Sequence, residues 1–291
     1  MSKNICAIIV TWNADKDDLE RTIPAASHEA DSVVVVDNGS LPENFAALKK
    51  ITEKFRNVTI IQNTENKGIG NAFNRGAEYA LKKGFEWFIT LDDNGKMGER
   101  MLGKLLEAYD NLAEKEQAKT AIVAPNYTTL KGRVYEAENP FFVQTTVATG
   151  QMIKTKAWKE VKGFKEDLFI ACVDHEFCFK ILRAGYKTLL VPSTMLYATA
   201  GPKPIVRSLF GKKFVVPNYS PDRYYYTYRN SMYLYKMYWR HVPGWIIKNI
   251  ISNKLTFLKI LFFEEQKFKK ILMIIQGCWD GLRNKLGKLK Q

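Results

Sequence analysis

The feature that most constrains the fold is a regular alternation of short apolar runs with amphipathic stretches near the start of the chain. The apolar runs are continuous, which is typical of strands buried on both faces of a parallel sheet. These runs occupy residues 5–11, 33–36, 58–62 and 87–91, and stretches with helical spacing lie between them at 17–28, 42–55 and 68–83. This order of strands and helices predicts an α/β domain.

The chain after residue 95 is less regular. Its pattern favours two further helices and two further strands around an antiparallel stretch. The helices are expected at 101–118 and 174–184, the strands at 120–124 and 187–191, and the antiparallel stretch at 128–149. The sheet is therefore predicted to be mixed but mostly parallel.

Charge divides the chain near residue 200. The net charge is +14, yet residues 1–200 hold 26 basic and 26 acidic side chains, whereas residues 201–291 hold 18 and 4. We therefore expect a neutral domain at 1–200, followed by a basic, aromatic region of amphipathic helices at 201–291. Such an excess of positive charge points to an anionic partner, either nucleic acid or an acidic membrane surface.

The cysteines and the first residues of the chain indicate in which cellular compartment the protein is expected. Cys6, Cys172, Cys178 and Cys278 lack the spacing of a disulfide framework or a zinc site, so we interpret them as reduced thiols of a cytosolic protein. The chain start leads directly into the first apolar run, and no signal peptide is expected. No window reaches about 18 uncharged apolar residues, so no spanning helix is expected.

Polar residues follow each of the first four apolar runs. They are Trp12-Asn13, Asp37-Asn38-Gly39-Ser40, Asn63 to Asn66 and Asp92-Asp93-Asn94. Ligands of parallel α/β sheets bind beyond the carboxyl ends of the strands, so these groups are candidate binding residues. Taken alone, Asp37-Asn38-Gly39-Ser40 also fits a simple Asn-Gly turn, and Asp92-Asp93-Asn94 also fits a solvated loop after a strand. The nearby segment 66–76 has Phe73 where a dinucleotide-binding fingerprint needs its third glycine, which argues against a Rossmann dehydrogenase.

Four motifs in this order resemble the family 2 glycosyltransferases. They are Thr11-Trp12-Asn13, Val36-Asp37-Asn38-Gly39-Ser40, Asn66-x-Gly68-x-Gly70-x-Ala72-x-Asn74-x-Gly76 and Leu91-Asp92-Asp93-Asn94. Gly150, Gly163-Phe164, the run from Phe169 to Phe179 and Arg183 to Tyr186 extend the likeness through residue 191. The resemblance implies the GT-A fold and a nucleotide-sugar donor, with a donor half at 1–95 and an acceptor half at 96–200.

The resemblance also implies roles for individual residues. Asp37 would bind the nucleotide base and Asp92 the ribose, while Asp174 would be the catalytic base of an inverting, single-displacement reaction. Glu176 is the alternative base, and a helix cap is the plainer interpretation of Asp174. The other donor-binding candidates are Thr11, Trp12, Asn13, Asn66, Gly68, Asn74 and Asp93, and those on the acceptor side are Gly150 and Gln151.

The metal site of the family is altered in this sequence. Asn94 stands at the last position of the DxD motif, where a carboxylate normally holds Mg²⁺ or Mn²⁺. The segment 191–201 also lacks the histidine that many relatives place there. Asn94 and Asp93 would bind a cation only weakly, so the metal is expected to be weakly held or dispensable. Arg223 and Arg229 are expected to help stabilise the diphosphate.

The C-terminal region suggests the sugar and the location. Residues 219–230 resemble a segment of bacterial rhamnosyltransferases, which makes dTDP-L-rhamnose the expected donor; a galactofuranosyl- or other hexosyltransferase that uses a UDP-sugar is the alternative. Residues 241–291 are expected to form a pair of amphipathic helices on an anionic membrane surface. The implied acceptor is a glycan or polyprenyl-linked glycan of a bacterial surface polysaccharide, at the cytoplasmic face of the cell membrane.

Three alternatives bear on these expectations. A basic nucleic-acid-binding protein would explain the tail but not Asp37, Asp92 or Asp174, so no nucleic acid is expected. A sugar-phosphate nucleotidylyltransferase would need a glycine-rich, basic signature near the N-terminus, which residues 11–15 do not provide. A homodimer through the C-terminal helices is an alternative use of their apolar faces.

Overall fold

A ten-stranded sheet forms the first part of the structure, a computed structural model that describes residues 4–129, 132–198, 205–209, 212–216 and 218–289. The chain divides into two units. The first comprises Met1–Glu166 and Val173–Thr199, and the second comprises Asp167–Cys172 and Ala200–Gln291. The predicted boundary between residues 200 and 201 lies outside the described residues.

The strands of the first unit include all those predicted from its apolar runs. They are β1 (Ile5–Thr11), β2 (Ser32–Asp37), β3 (Val58–Gln62), β4 (Trp87–Asp92), β5 (Gly95–Met97), β6 (Thr120–Thr129), β7 (Gly132–Arg133), β8 (Phe141–Val143), β9 (Met152–Lys154) and β10 (Lys187–Ala198). Their order is β3-β2-β1-β4-β9-β6-β10-β5, with β7 beside β6 and β8 beside β10.

Strand direction gives the sheet its mixed character. The strands β3, β2, β1 and β4 are parallel neighbours. The strand β9 is antiparallel to both β4 and β6, and β6 is parallel to β10, so β6 and β10 share the direction of β1. The predicted α/β fold with a mixed, mostly parallel sheet is therefore confirmed.

Helices cover both faces of this sheet. They are α1 (Lys16–Glu29), α2 (Pro42–Thr52), α3 (Ile69–Lys82), α4 (Met101–Asp110), α5 (Glu114–Lys119), α6 (Thr155–Glu160) and α7 (Val173–Arg183). Alternate β1 residues Ile5, Ala7 and Ile9 join a core with α1, α2 and α4. On the other face, a Cβ at Gly76 of α3 would lie 2.3 Å from the Ile8 side chain. Residues that point to opposite faces of β1 are thus both buried, as its continuous apolar run predicts.

The predicted helix at 101–118 is wrong in one respect, because it breaks into α4 and α5. The Gln117 side-chain amide donates to the carbonyls of Asp110 (2.9 Å) and Leu112 (3.0 Å). These contacts satisfy carbonyl groups that a helix end leaves without a partner. The Gln117 side chain therefore stabilises the break between α4 and α5.

The second unit contains a two-stranded antiparallel sheet and three helices among its described residues. They are β11 (Ile205–Leu209), β12 (Lys212–Val216), α8 (Pro221–Tyr238), α9 (Pro243–Phe263) and α10 (Lys267–Leu282). α10 packs closely on α8, because a Cβ at Gly281 would lie 2.2 Å from the Arg229 carbonyl oxygen. Within the described ranges, no helix is both long enough and apolar enough to cross a membrane.

Candidate active site

The carboxyl ends of β1, β2, β3 and β4 lie at one edge of the sheet, because these strands are parallel. The strand β1 lies between β2 and β4, so the polar segments that follow these three strands are neighbours. Ligands of open α/β sheets bind at this edge, where connections leave a central strand in opposite directions. The fold therefore brings the predicted donor-side motifs together.

The loops after β1 and β2 are joined by hydrogen bonds. The Asn13 backbone N–H donates to Ser40 Oγ (2.8 Å), and the Leu41 backbone N–H donates to Asn13 Oδ1 (2.8 Å). Asn13 adopts a left-handed backbone conformation (φ +51°), which asparagine tolerates better than most residues. The side chain of Trp12 is 54% exposed, while Thr11 is buried. This arrangement leaves the Trp12 ring available to a ligand.

Asp37, at the end of β2, has a carboxylate that is only partly satisfied. One oxygen, Oδ2, accepts a hydrogen bond from the Ser40 backbone N–H (3.3 Å). The other, Oδ1, is buried and has no hydrogen-bond partner among the described residues. A buried carboxylate oxygen without a donor is costly. A ligand N–H group at this position would remove that cost.

Asn66 and Gly68 shape the turn that leads into α3. Asn66 Oδ1 accepts from Asn38 Nδ2 (3.1 Å) and from the Gly68 backbone N–H (3.0 Å). Gly68 has φ +87°, a conformation that side-chain-bearing residues rarely adopt. These predicted donor-binding residues therefore have clear roles in the loop itself.

Asn74, a predicted donor-binding residue, makes four hydrogen bonds to other parts of the first unit. Its Oδ1 accepts from Trp158 Nε1 (3.1 Å) and the Phe164 backbone N–H (2.8 Å), and its Nδ2 donates to the Phe164 carbonyl (2.9 Å) and Glu166 Oε1 (2.8 Å). Both polar atoms are thus occupied by protein groups. They attach α3 to the loop that follows α6.

The acidic turn Asp93-Asn94 connects β4 to β5. Thr22 Oγ1 of α1 donates to the Asp93 carbonyl (2.8 Å), and the Asp92 backbone N–H donates to Thr149 Oγ1 (3.1 Å). The sequence prediction omits both threonines, because no local pattern marks residues that support a turn from 57 or 71 positions away. Together they orient the turn that carries the predicted ribose and metal residues.

Asp93, one of the predicted metal ligands at this turn, has a shifted pKa. Burial raises the pKa of Asp93 to about 6, although the backbone N–H groups of Trp12 and Asn94 stabilise its charged form. A carboxyl group must be deprotonated to bind a cation, so Asp93 is a poor ligand below that pH. Across the part of the chain that the structure describes, no cluster of three or more His, Cys, Asp or Glu side chains is suited to a metal ion.

The first turn of α7 distinguishes the two predicted bases. Glu176 is 2% exposed and lies 3.6 Å from Lys180 Nζ in an ion pair. Asp174 is only partly buried, and its Oδ1 accepts from the His175 backbone N–H (2.8 Å). A helix N-terminus also stabilises negative charge. Asp174 is therefore the more accessible of the two carboxylates, and Glu176 is held inside the domain.

Gly150 and Gln151 connect the sheet to α7. The Gly150 backbone N–H donates to the Thr90 carbonyl (2.6 Å), and Gly150 has φ +87°. Gln151 is fully buried, and its Nε2 donates to the Thr146 carbonyl (3.1 Å) and to Cys178 Sγ of α7 (3.4 Å). These contacts support the helix that carries Asp174, so the structure gives Gln151 a supporting position.

The predicted diphosphate-binding arginines belong to the second unit. Arg223 is partly buried and its guanidinium lies 5.9 Å from the centre of the Tyr219 ring. Arg229 is 1% exposed, and its Nε, Nη1 and Nη2 donate to Asn230 Oδ1 (2.9 Å) and to the carbonyls of Gly287 (2.6 Å), Asp167 (3.2 Å) and Leu168 (3.0 Å). All of its nitrogens are occupied, which argues against the predicted contact between Arg229 and the diphosphate.

Comparisons with known proteins identify the family. The model of "Glycosyl transferase family 2" matches residues 6–162. The dTDP-rhamnosyl transferase RfbF of Shigella flexneri is 28% identical over 300 residues, which cover 99% of this chain and 98% of that protein.

Two solved structures share the fold. GalNAc-T7 with UDP, GalNAc and Mn²⁺ has a TM-score of 0.59 at 17% identity; the match covers 83% of this chain and 50% of that chain, half of its length. The mannosyltransferase PcManGT from Pyrobaculum calidifontis, in complex with GDP-Man and Mn²⁺, has a TM-score of 0.59 at 14% identity, with 97% and 88% covered. The chain therefore belongs to glycosyl transferase family 2 and is a glycosyltransferase with the GT-A fold.

Proposed function

We propose that this glycosyltransferase moves L-rhamnose from dTDP-rhamnose to a hydroxyl group of a glycan or lipid-linked glycan, with inversion at the anomeric carbon. The full-length similarity to a protein named as a dTDP-rhamnosyl transferase supports the donor. The acceptor would be part of a bacterial surface polysaccharide. In this proposal Asp37 binds the nucleotide of the donor, and Asp174 acts as the general base.

The main support for the proposed donor site is Asp37 Oδ1 at the end of β2, which is buried and has no hydrogen-bond partner within the described part of the chain. Thymine and uracil each have one ring N–H that can donate to such an oxygen. The exposed Trp12 ring offers a surface on which the base can stack. Because thymine and uracil present the same N–H, a UDP-sugar, used by a galactofuranosyl- or other hexosyltransferase, is the second candidate.

Asp174 is the proposed general base. Its carboxylate removes the proton from the acceptor hydroxyl as that oxygen attacks the anomeric carbon of the donor. The bond from the anomeric carbon to the diphosphate oxygen breaks, and dTDP leaves with the electron pair. Attack from the side opposite the leaving group inverts the configuration. A base in this role typically contributes about 10²–10⁴-fold to the rate.

A divalent cation, Mg²⁺ or Mn²⁺, is proposed to be weakly held or dispensable. Such an ion neutralises charge on a leaving diphosphate when it is bound. The burial and raised pKa of Asp93 and the amide side chain of Asn94 support this proposal. Mn²⁺ accompanies the nucleotide ligands of GalNAc-T7 and PcManGT.

A panel of nucleotide sugars tests the proposed reaction. The purified protein should release dTDP slowly from dTDP-rhamnose with water as the acceptor, and release from UDP-galactose, UDP-galactofuranose and UDP-glucose should be slower. Each donor is assayed with Mn²⁺ and with EDTA, and we expect more than about a tenth of the activity to persist in EDTA because the metal ligands are weak. If no nucleotide diphosphate is released from any donor, the proposed reaction is wrong. If a UDP-sugar is hydrolysed faster than dTDP-rhamnose, the protein is a galactofuranosyl- or other hexosyltransferase.

We also propose that α10 places the enzyme on an anionic membrane surface. Its apolar residues recur every three or four positions on the side opposite the glycines that pack on α8. Phe268 is 86% exposed and Trp279 is 56% exposed. The outward-facing residues are Phe268, Leu272, Ile275, Trp279 and Leu282.

Charge favours a membrane over a second copy of the chain on this face. Residues 201–291 hold 18 basic and 4 acidic side chains. Two of those acids, Glu264 and Asp280, are buried. Glu264 pairs with Lys270 (2.7 Å), and Asp280 accepts a hydrogen bond from Tyr225 Oη (2.8 Å). The surface charge is therefore almost entirely positive, which would repel a copy of itself. Each Lys or Arg near anionic lipid contributes about 1 kcal/mol.

Vesicle flotation of the full chain tests this surface. We expect the protein to float with vesicles of phosphatidylglycerol and phosphatidylethanolamine, but not with phosphatidylcholine alone. The double change Leu272→Glu and Trp279→Glu should reduce the bound fraction by about tenfold or more, because it removes two apolar groups and adds two negative charges. The control is Leu81→Glu, at an exposed apolar position on α3. If the protein does not bind vesicles and forms a dimer that is stable in salt, the outward face of α10 is an interface with a second copy of the chain.

A further inference from the structure

The segment Asp167–Cys172, part of the second unit, has an unusual backbone. Phe169, Ala171 and Cys172 have φ values of +62°, +66° and +59°. The left-handed region is unfavourable for residues that carry a side chain, so surrounding contacts must stabilise such a conformation. Within the segment, the Ile170 backbone N–H donates to the Leu168 carbonyl (2.7 Å). Side chains of α8 supply further contacts.

Asn230 of α8 supplies the main contacts to this segment. Its Nδ2 donates to three of the segment's carbonyl groups, those of Leu168 (3.0 Å), Ile170 (2.8 Å) and Ala171 (2.8 Å). The side chain is fully buried. One side-chain amide thus donates to three carbonyl groups of a segment in which three residues are left-handed.

Arg229 supports the same segment from the neighbouring position. Its Nη2 donates to the carbonyls of Asp167 and Leu168, and its Nε donates to Asn230 Oδ1, which orients the Asn230 amide. Its Nη1 donates to the Gly287 carbonyl, and the Gly287 N–H donates to the Asp167 carbonyl (2.7 Å). Arg229, Asn230 and Gly287 therefore all donate hydrogen bonds to carbonyl groups of the 167–172 segment.

The position of this segment in the chain gives it a consequence for catalysis. It ends at Cys172, and α7 begins at the next residue, Val173. Asp174, the proposed base, is therefore two residues beyond the segment. A catalytic group has to be held within a fraction of an ångström of its productive position.

We propose that Asn230 is a positioning residue for Asp174. It holds the 167–172 segment in the conformation from which α7 starts, and Arg229 supports it in that role. The proposal rests on the proposed function of Asp174. It makes the C-terminal unit a requirement for the chemical step.

The test compares Asn230→Ala with Asn253→Ala. Asn253 is a matched control, since its Nδ2 also donates to three protein acceptors, Ser231 Oγ, Tyr235 Oη and Asn249 Oδ1, none of which is in the segment. At saturating dTDP-rhamnose, Asn230→Ala should lower kcat for dTDP release by about 10- to 100-fold. KM for dTDP-rhamnose should change by less than about threefold, since donor binding is unaffected. Asn253→Ala should lower Tm comparably but leave kcat close to that of the unaltered protein.

A second variant and a second measurement keep the test informative. Asn230→Ser retains one hydroxyl donor and should give an intermediate kcat, and it carries the test if Asn230→Ala does not fold. Hydrogen–deuterium exchange should become faster in peptides that cover 167–175 in the Asn230 variants, but not in Asn253→Ala. Equal kcat losses in the Asn230 and Asn253 variants would overturn the proposal, as would normal kcat in Asn230→Ala.

Failure of the positioning role can be distinguished from failure of the proposed base. If Asp174→Asn abolishes dTDP release while Asn230→Ala does not alter it, only the positioning role is lost. If Asp174→Asn remains fully active, the assignment of the base is wrong and the positioning role falls with it.

Discussion

Asp174→Asn should lower the rate of dTDP release from dTDP-rhamnose by about a thousandfold, the largest effect expected of any single substitution in this protein. Asparagine has nearly the same shape as aspartate but cannot accept a proton. The Asn side-chain oxygen can still accept the His175 backbone N–H that Asp174 Oδ1 accepts now (2.8 Å), so α7 should keep its first turn. Kinetics at saturating donor, together with an unchanged Kd for dTDP, would isolate the loss in the chemical step.

Glu176→Gln is the matched control for that experiment. Glu176 is buried beside the partly buried Lys180, whose pKa is lowered by burial, so removing the negative charge leaves the Lys180 ammonium group without its ion-pair partner. Loss of one member of a buried pair is destabilising, and Tm should fall. The rate of dTDP release below Tm should stay within about tenfold of the original, because Glu176 takes no proton. A larger rate loss in Glu176→Gln than in Asp174→Asn would reverse the two roles.

Asp37→Asn should weaken the binding of dTDP by a factor of roughly 10 to 100. A hydrogen bond to a charged group contributes about 1.5–3 kcal/mol, and the buried Oδ1 has no other donor among the described residues. Isothermal titration calorimetry with dTDP measures the change directly. The free energy of unfolding should not decrease, since the substitution removes a buried charge that is only partly satisfied.

Asp31→Asn provides the comparison for Asp37→Asn. Asp31 also accepts a backbone N–H, that of Ile5 (2.9 Å), but at the opposite edge of the sheet, just before β2 begins. Affinity for dTDP should therefore be unaltered in this variant. Equal losses of affinity in the two variants would mean that Asp37 acts through stability and not through a contact with the base.

Local sequence patterns were sufficient to predict the strands β1 to β4 and the polar residues at their carboxyl ends. Continuous apolar runs mark β1 to β4, and the strand predicted at 58–62 has the bounds that β3 has in the structure. Since a polar residue that follows a parallel strand lies at the carboxyl edge, Asp37 and Asp92 could be placed without coordinates.

The partners of buried polar groups could not be predicted in the same way. Asn74 satisfies groups 84 and 90 positions away, and Arg229 satisfies carbonyls 58 to 62 positions away. Nothing in the residues next to Arg229 predicts which acceptors its guanidinium contacts, because an arginine that follows a run of tyrosines can pair with carbonyls or with a diphosphate. The choice depends on which acceptors the rest of the fold brings close, and that is a property of the tertiary structure.

The two units are interleaved along the chain, since residues 167–172 belong with the C-terminal helices while the residues on either side belong with the sheet. Truncation after residue 199 would remove Asn230, Arg229 and Gly287 and leave these six residues without their hydrogen-bond donors. Recombination between relatives faces the same constraint. A C-terminal unit inherited from another enzyme would have to match the recipient's own 167–172 segment, so the two parts are expected to evolve as a matched pair rather than as exchangeable modules.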